Sequence, residues 1–381
     1  MIRPAWRCEI ERIARDVTAV HADAADRDAR FPIETIDALR EAGLLSLLVP
    51  ESLGGPGGDV GEVAQIIGLL GGQDGSIGVT LCMHYSQIAV LARHSETDAL
   101  RSFLTRVHDE QLLLANSNSE IGVKGSERLS TCFIHETAGG RFELSKQTPV
   151  ISYGEHADAI LVTARRVEDS PANDQVVAVC LREDLDLEPT GPWDALGLRG
   201  SCSRPFRLRA TGSMDMIVGD YARVVNETGL PVTDVMFGEY WLGMAEAAAA
   251  TAHGHLRKKY RNNPDDAQIP LLRLAELVAS LDQLRGLVRA ATRRHAEIDG
   301  TEDVASLAFV NQLHTLKVAG TRLLQQIALE SLAICGVAGY RNDSSVSLGR
   351  LVRDALGAGL MVNTDAVLAQ NGQIMRVRKQ L

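Results

Sequence analysis

The sequence predicts an α+β fold that is mostly α, and three textures along the chain predict it. Helical periodicity fills the first hundred-odd residues, short runs alternating Val, Ile, Thr and Phe with polar residues occupy the middle, and long Ala-rich helical stretches fill the rest. The implied organisation is an N-terminal helical domain (1–112), a middle antiparallel β-domain (113–220) and a C-terminal four-helix bundle (221–381). A chain of 381 residues buries about three-quarters of its unfolded surface, so it needs neither disulfide nor metal to fold.

In chain order, Ile33, Ile36, Leu39 and Leu44 mark one apolar helix face, and Gly43 marks the end of that helix. The stretch PESLGGPGG at 50–58 is a turn, because Gly and Pro supply backbone angles a helix cannot use. Residues 62–72 and 76–94 read as two further helices. Strands are expected at 131–135, 141–145, 159–164, 176–181 and 205–210, with a hairpin turn at Ala138-Gly139-Gly140. Long helices are then expected at 234–262, 268–298, 304–338 and 364–378, and the small residues Ala245 to Ala250 permit close helix contact.

Composition excludes several classes. With 39 Lys+Arg against 49 Asp+Glu the net charge is −10, which argues against nucleic-acid and anionic-membrane partners, both of which need a basic footprint. A polyanionic small molecule stays open, since a few placed Arg or Lys residues hold one. The six cysteines at 8, 82, 132, 180, 202 and 335 form no C-x-x-C pair and are expected to be free and mostly buried, with no metal site. No apolar signal core opens the sequence and no apolar run reaches the ~18 residues of a membrane span, so a cytoplasmic protein is expected. Walker A, strand-borne G-x-G-x-x-G, H-E-x-x-H and G-x-S-x-G motifs are all missing.

What remains is spread over the chain. Phe31-Pro32, Leu39 to Leu44, Val49-Pro50-Glu51 and Leu53-Gly54-Gly55 form an opening helix and turn. In the middle come Ser119-Glu120-Ile121-Gly122 with Gly125-Ser126, then Pro149-Val150-Ile151-Ser152-Tyr153-Gly154, then Leu196-Gly197-Leu198-Arg199-Gly200-Ser201. Arg257, Tyr260 and Gln268, then Gly336-Val337-Ala338-Gly339-Tyr340 and Arg353-Asp354, complete the set. In this order and spacing the motifs resemble those of the acyl-CoA dehydrogenase superfamily of flavoproteins, over about residues 5–380.

The resemblance implies FAD as cofactor. It places the Ser119 to Ser126 loop over the flavin and the substrate thioester, and Ile151-Ser152 at the reactive edge of the ring, with the Ser152 hydroxyl bonded to it. It implies that Arg257, with Tyr260 and Gln268, reaches the FAD pyrophosphate across a subunit interface, as guanidinium suits. Gly336 and Gly339 approach an FAD from a neighbouring subunit. A homodimer or homotetramer follows, acting on an acyl-CoA or acyl-carrier-protein thioester, with a flavoprotein or oxygen as electron acceptor.

Desaturating a thioester needs a base for the α-proton, and both of the family's usual Glu positions lack one. Counting from Arg353-Asp354, the first holds Val362; the second, ten residues before Gly243, holds Thr233. Three readings follow. Another carboxylate serves, Asp234 or Glu239, each of which also reads as an ordinary helix-cap or buried acid. Alternatively the chain is a flavin-dependent monooxygenase on the same scaffold, with His84, Ser152 and Asn116 or Asn118 as donors, although His84 also reads as a satisfied core histidine. Or it is a flavin-binding scaffold without turnover. The expected reaction is α,β-dehydrogenation of an acyl thioester in a specialised pathway.

Overall fold

The computed structural model describes residues 2–123, 128–262, 268–361 and 363–377. The first block holds α1 (Pro4–Ile13), α2 (Ala19–Asp28), α3 (Ile33–Glu41), α4 (Val60–Gln73), α5 (Gly75–His94) and α6 (Asp98–Asp109). A π-turn at Ala14–Thr18 joins α1 to α2. At the start of α4, Asp59 accepts from the Glu62 amide at 2.8 Å while Glu62 accepts from the Asp59 amide at 3.3 Å, a reciprocal cap. Helix α5 is long and apolar enough to cross a membrane, yet 83% of its most apolar window is buried inside the protein, as for a core helix.

The middle block holds β1 (Leu114–Ser117), β2 (His135–Thr137), β3 (Arg141–Ile151), β4 (Ala159–Arg165), β5 (Gln175–Leu181), β6 (Leu185–Pro189), β7 (Arg204–Ser213) and β8 (Ile217–Val218). Among the described residues they form two sheets, ordered β1-β4-β5-β8 and β2-β3-β7-β6. The expected antiparallel pairing holds except that β1 runs parallel to β4. The chain passes through the second sheet between them, which supplies the long crossover a parallel pair requires. Strands β4 and β5 are buried almost throughout, whereas β3 alternates exposed and buried residues from Arg141 to Thr148.

The strand expected at 131–135 is not formed; Phe133 makes only an isolated bridge to Arg165 and β2 starts at His135. The Glu120 carboxylate takes the amides of Thr131 and Cys132, at 3.0 Å each, and so removes two donors a ladder would need.

The last block holds α7 (Tyr221–Val224), α8 (Leu230–Lys259), α9 (Gln268–Ile298), α10 (Leu307–Cys335), α11 (Val337–Tyr340), α12 (Gly349–Met361) and α13 (Thr364–Val377). Helix α12 was not expected from periodicity, because Gly357 and Gly359 weaken the helical signal there. Helices α9 and α10 are antiparallel: Gln326 donates to Ser280 while Leu284 faces Gly320. Helix α8 runs parallel to α10, with Gly238 beside Leu316 and Trp241 beside Gly320.

Candidate functional site

The β-domain motifs converge. Ser119 Oγ lies 3.4 Å from Thr148 Oγ1 and donates to the Val150 carbonyl at 3.3 Å, which sets the residues after β1 against the end of β3. Glu120 anchors this segment, accepting from Ser130 Oγ at 2.6 Å and from the Thr131 hydroxyl as well as the two amides. Burial raises its pKa, but the Ser130 and Thr131 donors and the nearby Lys146 ammonium outweigh that and hold it below the ordinary value. Lys146 occupies an inward position of β3, donates to Ser117 O, Thr163 O and Thr163 Oγ1 at 2.8–2.9 Å, and lies 4.0 Å from Glu120.

Beyond buried Ile151, half-buried Ser152 begins a chain of hydroxyls: Ser152 Oγ to Ser203 Oγ at 2.8 Å, and Ser203 Oγ to Ser201 Oγ at 2.8 Å. Ser201 in turn donates to the Leu198 carbonyl at 2.8 Å. Tyr153 adopts a left-handed backbone (φ 44°), held by its amide on Ser201 O and its hydroxyl on Leu114 O, both 2.8 Å.

The 196–201 turn docks on α12. The Leu198 amide donates to Asp354 Oδ1 at 2.6 Å, and Arg353 donates to Leu196 O at 3.0 Å. A side chain at Gly197 would lie 2.3 Å from Arg353 O, so only glycine fits this contact. Arg353 also pairs with Asp26 of α2 at 2.5 Å. Burial raises the Asp354 pKa to about 7, with Arg350 pulling the other way.

One to two turns further along α12, Ala358 and Met361 line a small cleft with Asp234, Phe237 and Trp241 of α8 and Lys317 of α10. Lys317 donates to Ala358 O at 2.8 Å and lies 5.5 Å from the Trp241 ring. Burial pushes the Lys317 ammonium down to about 8, against the pull of Asp234. The Trp241 indole N–H is buried without a partner. In sequence, the cleft residues Asp234 and Met361 stand next to the two base positions, Thr233 and Val362; Val362 lies outside the described residues.

Glu239 is not in this group. It is five residues, about 140° of rotation, from Asp234 on α8, and its backbone carbonyl packs on Gly68 of α4. Burial, reinforced by Glu246, raises its pKa to about 7. His84 is fully buried, with Nε2 2.6 Å from Leu45 O and Nδ1 accepting from the Leu114 amide at 3.0 Å. Both ring nitrogens are engaged and burial lowers its pKa to about 4, so this histidine is a core group, not a donor toward the cleft.

The remaining motif residues sit elsewhere. Arg257 and Gln268 are exposed, and Tyr260, half-buried, ends α8. Gly336, with φ 59° and ψ −141°, adopts a conformation open to glycine alone, and a side chain at Gly339 would lie 2.6 Å from Cys335 Cβ. Arg257 and Gly336 lie sixteen residues beyond the Trp241–Gly320 contact on parallel helices, hence at one end of the bundle. Along α8 that end is about 35 Å from Asp234. Gly125 and Ser126 lie outside the described residues.

Sequence reading missed Lys317, Trp241 and Ser203. The signal for Lys317 was present: it falls on the buried stripe Leu313, Gly320, Leu324 of α10, where a lysine has no packing reason to be.

Residues 4–111 match the N-terminal domain of acyl-CoA dehydrogenases and residues 235–361 match their C-terminal domain. An amino sugar nitrososynthase of Streptomyces peucetius is 25% identical, covering 94% of this chain and 90% of its own. An acyl-[acyl-carrier-protein] dehydrogenase of Mycolicibacterium paratuberculosis is 27% identical, covering 90% and 86%. Among solved structures, the FMN-bound dibenzothiophene monooxygenase of Paenibacillus sp. A11-2 superposes with a TM-score of 0.84 over 98% of this chain and 97% of that one, at 20% identity, a likeness of fold. The two domain matches take in most of the chain, and their fold is the one described above: this protein belongs to the acyl-CoA dehydrogenase superfamily.

Proposed function

We propose that this chain is a flavin-dependent monooxygenase acting on a compact polar substrate. The observation that carries this reading is the cleft. Neither usual base position is a carboxylate, and the acid that lines the cleft, Asp234, shares it with the Lys317 ammonium. The two groups attract one another, so the pair is suited to orienting a polar substrate group more than to taking a proton from carbon. The nitrososynthase relative and the monooxygenase of like fold support the same reading.

The residues present fit a flavin. Ser119 and Ser152 offer hydroxyls near the ends of β1 and β3, and the 196–201 turn that Ser152 reaches through Ser203 and Ser201 docks on α12, whose cleft holds the unpartnered indole N–H. A bound flavin supplies the two-electron centre at which oxygen is activated. Ser152 would hold the ring edge, Asp234 and Lys317 would orient the substrate's polar group, and Phe237, Trp241 and Met361 would exclude water. Arg257, Tyr260, Gln268 and the Gly336–Gly339 loop, too far along the bundle to serve their own chain's cleft, would close on the phosphates of a neighbour's flavin. FAD suits this set, since its diphosphate meets a cation there. The exposed apolar residues Ile269 (70%) and Leu272 (63%) of α9 support such self-association, as a homodimer or homotetramer.

A second reading, desaturation of an acyl thioester on CoA or a carrier protein with Asp234 as base, is favoured by the place of Asp234 in the cleft and by the acyl-carrier relative. Anaerobic titration of the flavin-loaded protein with acyl-CoA and acyl-carrier thioesters separates the two. The expected result is no bleaching of the flavin's visible band, together with rapid oxygen uptake once an external reductant has reduced the flavin. Bleaching by a thioester would replace the first reading with the second.

A further inference from the structure

The turn that carries Ser201 is held in shape from outside. Leu198 (φ 52°, ψ 36°) and Cys202 (φ 46°, ψ 44°), on either side of Arg199–Ser201, both adopt the left-handed conformation. A residue with a β-carbon disfavours that conformation, and only glycine enters it freely. Side chains engage both backbone groups of Leu198: its amide donates to Asp354 Oδ1 at 2.6 Å, and its carbonyl accepts from Trp193 Nε1 at 3.1 Å as well as from Ser201. Asp354 is itself fixed. It is 2% exposed, and Gly75 at the start of α5 comes so near that a side chain there would lie 2.7 Å from Asp354 Oδ2. On its other side the turn sets the residues after β3. The last register pair of β3 with β7 is Ile151 with Arg204; beyond it, Ser201 O accepts the Tyr153 amide at 2.8 Å and Ser203 Oγ lies 2.8 Å from Ser152 Oγ.

We infer that Asp354 is a positioning residue for the flavin: by holding Leu198 left-handed it keeps Ser201 and Ser203 where they set Ser152 against the ring edge. This rests on the flavin reading above, with Ser152 at the reactive ring edge. Asp354 acts through the turn and not by contact with the cofactor. Without its carboxylate oxygen the Leu198 amide loses its acceptor, and the bond that offsets the cost of the left-handed backbone is gone. Only the fraction of molecules with the turn in place then binds flavin, and the apparent affinity falls by that fraction.

The test asks whether glycine at 198 makes Asp354 dispensable. FAD and FMN are titrated into the wild type, Asp354→Asn, Asp354→Leu, and Asp354→Leu combined with Leu198→Gly, and Kd, the visible spectrum of the bound flavin and Tm are recorded for each. Asp354→Asn keeps an oxygen for the Leu198 amide and is expected to bind as the wild type does. Asp354→Leu fills the same space without an acceptor, and its affinity should fall ~10-fold or more, the bias against an unanchored left-handed leucine. Adding Leu198→Gly, which enters that conformation unaided, should bring the affinity back to within ~3-fold of wild type and restore the shift of the visible band on binding, while Tm stays low. A role in stability alone would move Tm, leave the affinity of the folded protein unchanged and give glycine nothing to rescue. Unchanged affinity in folded Asp354→Leu, or no recovery in the double variant, overturns the assignment of Asp354 and leaves the flavin reading standing. Failure of the wild type to bind either flavin overturns both. Asp354→Ser, too short to reach the amide, takes the place of Asp354→Leu if the latter does not fold, with the same loss and the same rescue expected.

Discussion

The two ends of the C-terminal bundle differ in how finished they are. At the α12 end, Asp354, Leu198, Ser201, Ser203 and Ser152 are linked by hydrogen bonds within one chain, and Arg353 pairs with Asp26. At the other end, Arg257, Gln268, Gly336 and Val337 are exposed, as are the apolar residues Ile269, Leu271 and Leu272 at the start of α9. Motifs of one family set thus sit in two physical situations. One group is satisfied within the chain, and the other is left exposed at the surface.

The largest test of the closed end is Lys146→Met. It removes three hydrogen bonds and the cation facing Glu120, and losing one partner of a buried charge pair costs about 3 kcal/mol or more. The urea midpoint should fall accordingly; a change below half of that would mean that the sandwich core tolerates Glu120 without its lysine. At the open end, Arg257→Ala should weaken flavin binding by about 10- to 100-fold, as loss of charge-assisted bonds does, with thermal stability unchanged. Equal flavin content in the two proteins would remove Arg257 from the cofactor set. Leu272→Asp places a charge on the exposed apolar face and should lower the assembly state seen by sedimentation without altering helix content; unaltered sedimentation would leave that face unassigned.

The smallest expected effect is in pH dependence. A carboxyl whose native pKa is raised gives stability that is complete below its unfolded pKa, near 4, and lost as pH rises through the native value. For Asp354 that window runs from about pH 4 to about 7. Asp354→Asn keeps an oxygen to accept from the Leu198 amide and removes the titration. Wild-type Tm should therefore fall from pH 5 to 8 more steeply than that of the variant, by a few degrees. Parallel curves would show that Arg350 already keeps Asp354 charged.

This contrast also explains what the sequence disclosed. Gly197, Gly336 and Gly339 could be read because a missing side chain is a backbone requirement, visible in residue type and spacing alone. The helical and β textures were legible for the same local reason. Helix α12 was not, because its glycines Gly357 and Gly359 weaken propensity while tertiary packing overrides it. The strand expected at 131–135 failed on one distant carboxylate, that of Glu120. Lys317 and Ser203 matter through partners 41 and 51 residues away, Ala358 and Ser152, and no period in the sequence encodes such a meeting. Asp234 and Glu239 were equivalent as acids five residues apart; only the packing of α8 against α10 and α12 sets Asp234 in the cleft and leaves Glu239 elsewhere.

The junction of Asp26, Leu196 to Leu198 and Arg353-Asp354 has a consequence for biosynthesis. It ties segments separated by 327 and 156 residues, so it cannot exist on a nascent chain until nearly the whole sequence has left the ribosome. The N-terminal helices and the β-sandwich can form early from their own contacts, and the 196–201 turn already meets α2 and α5 through Arg199 and Gly200, but its Asp354 partner waits for α12. Closure of the Leu198–Asp354 contact is then a late event of folding, and a chain ended before α12 would lack it.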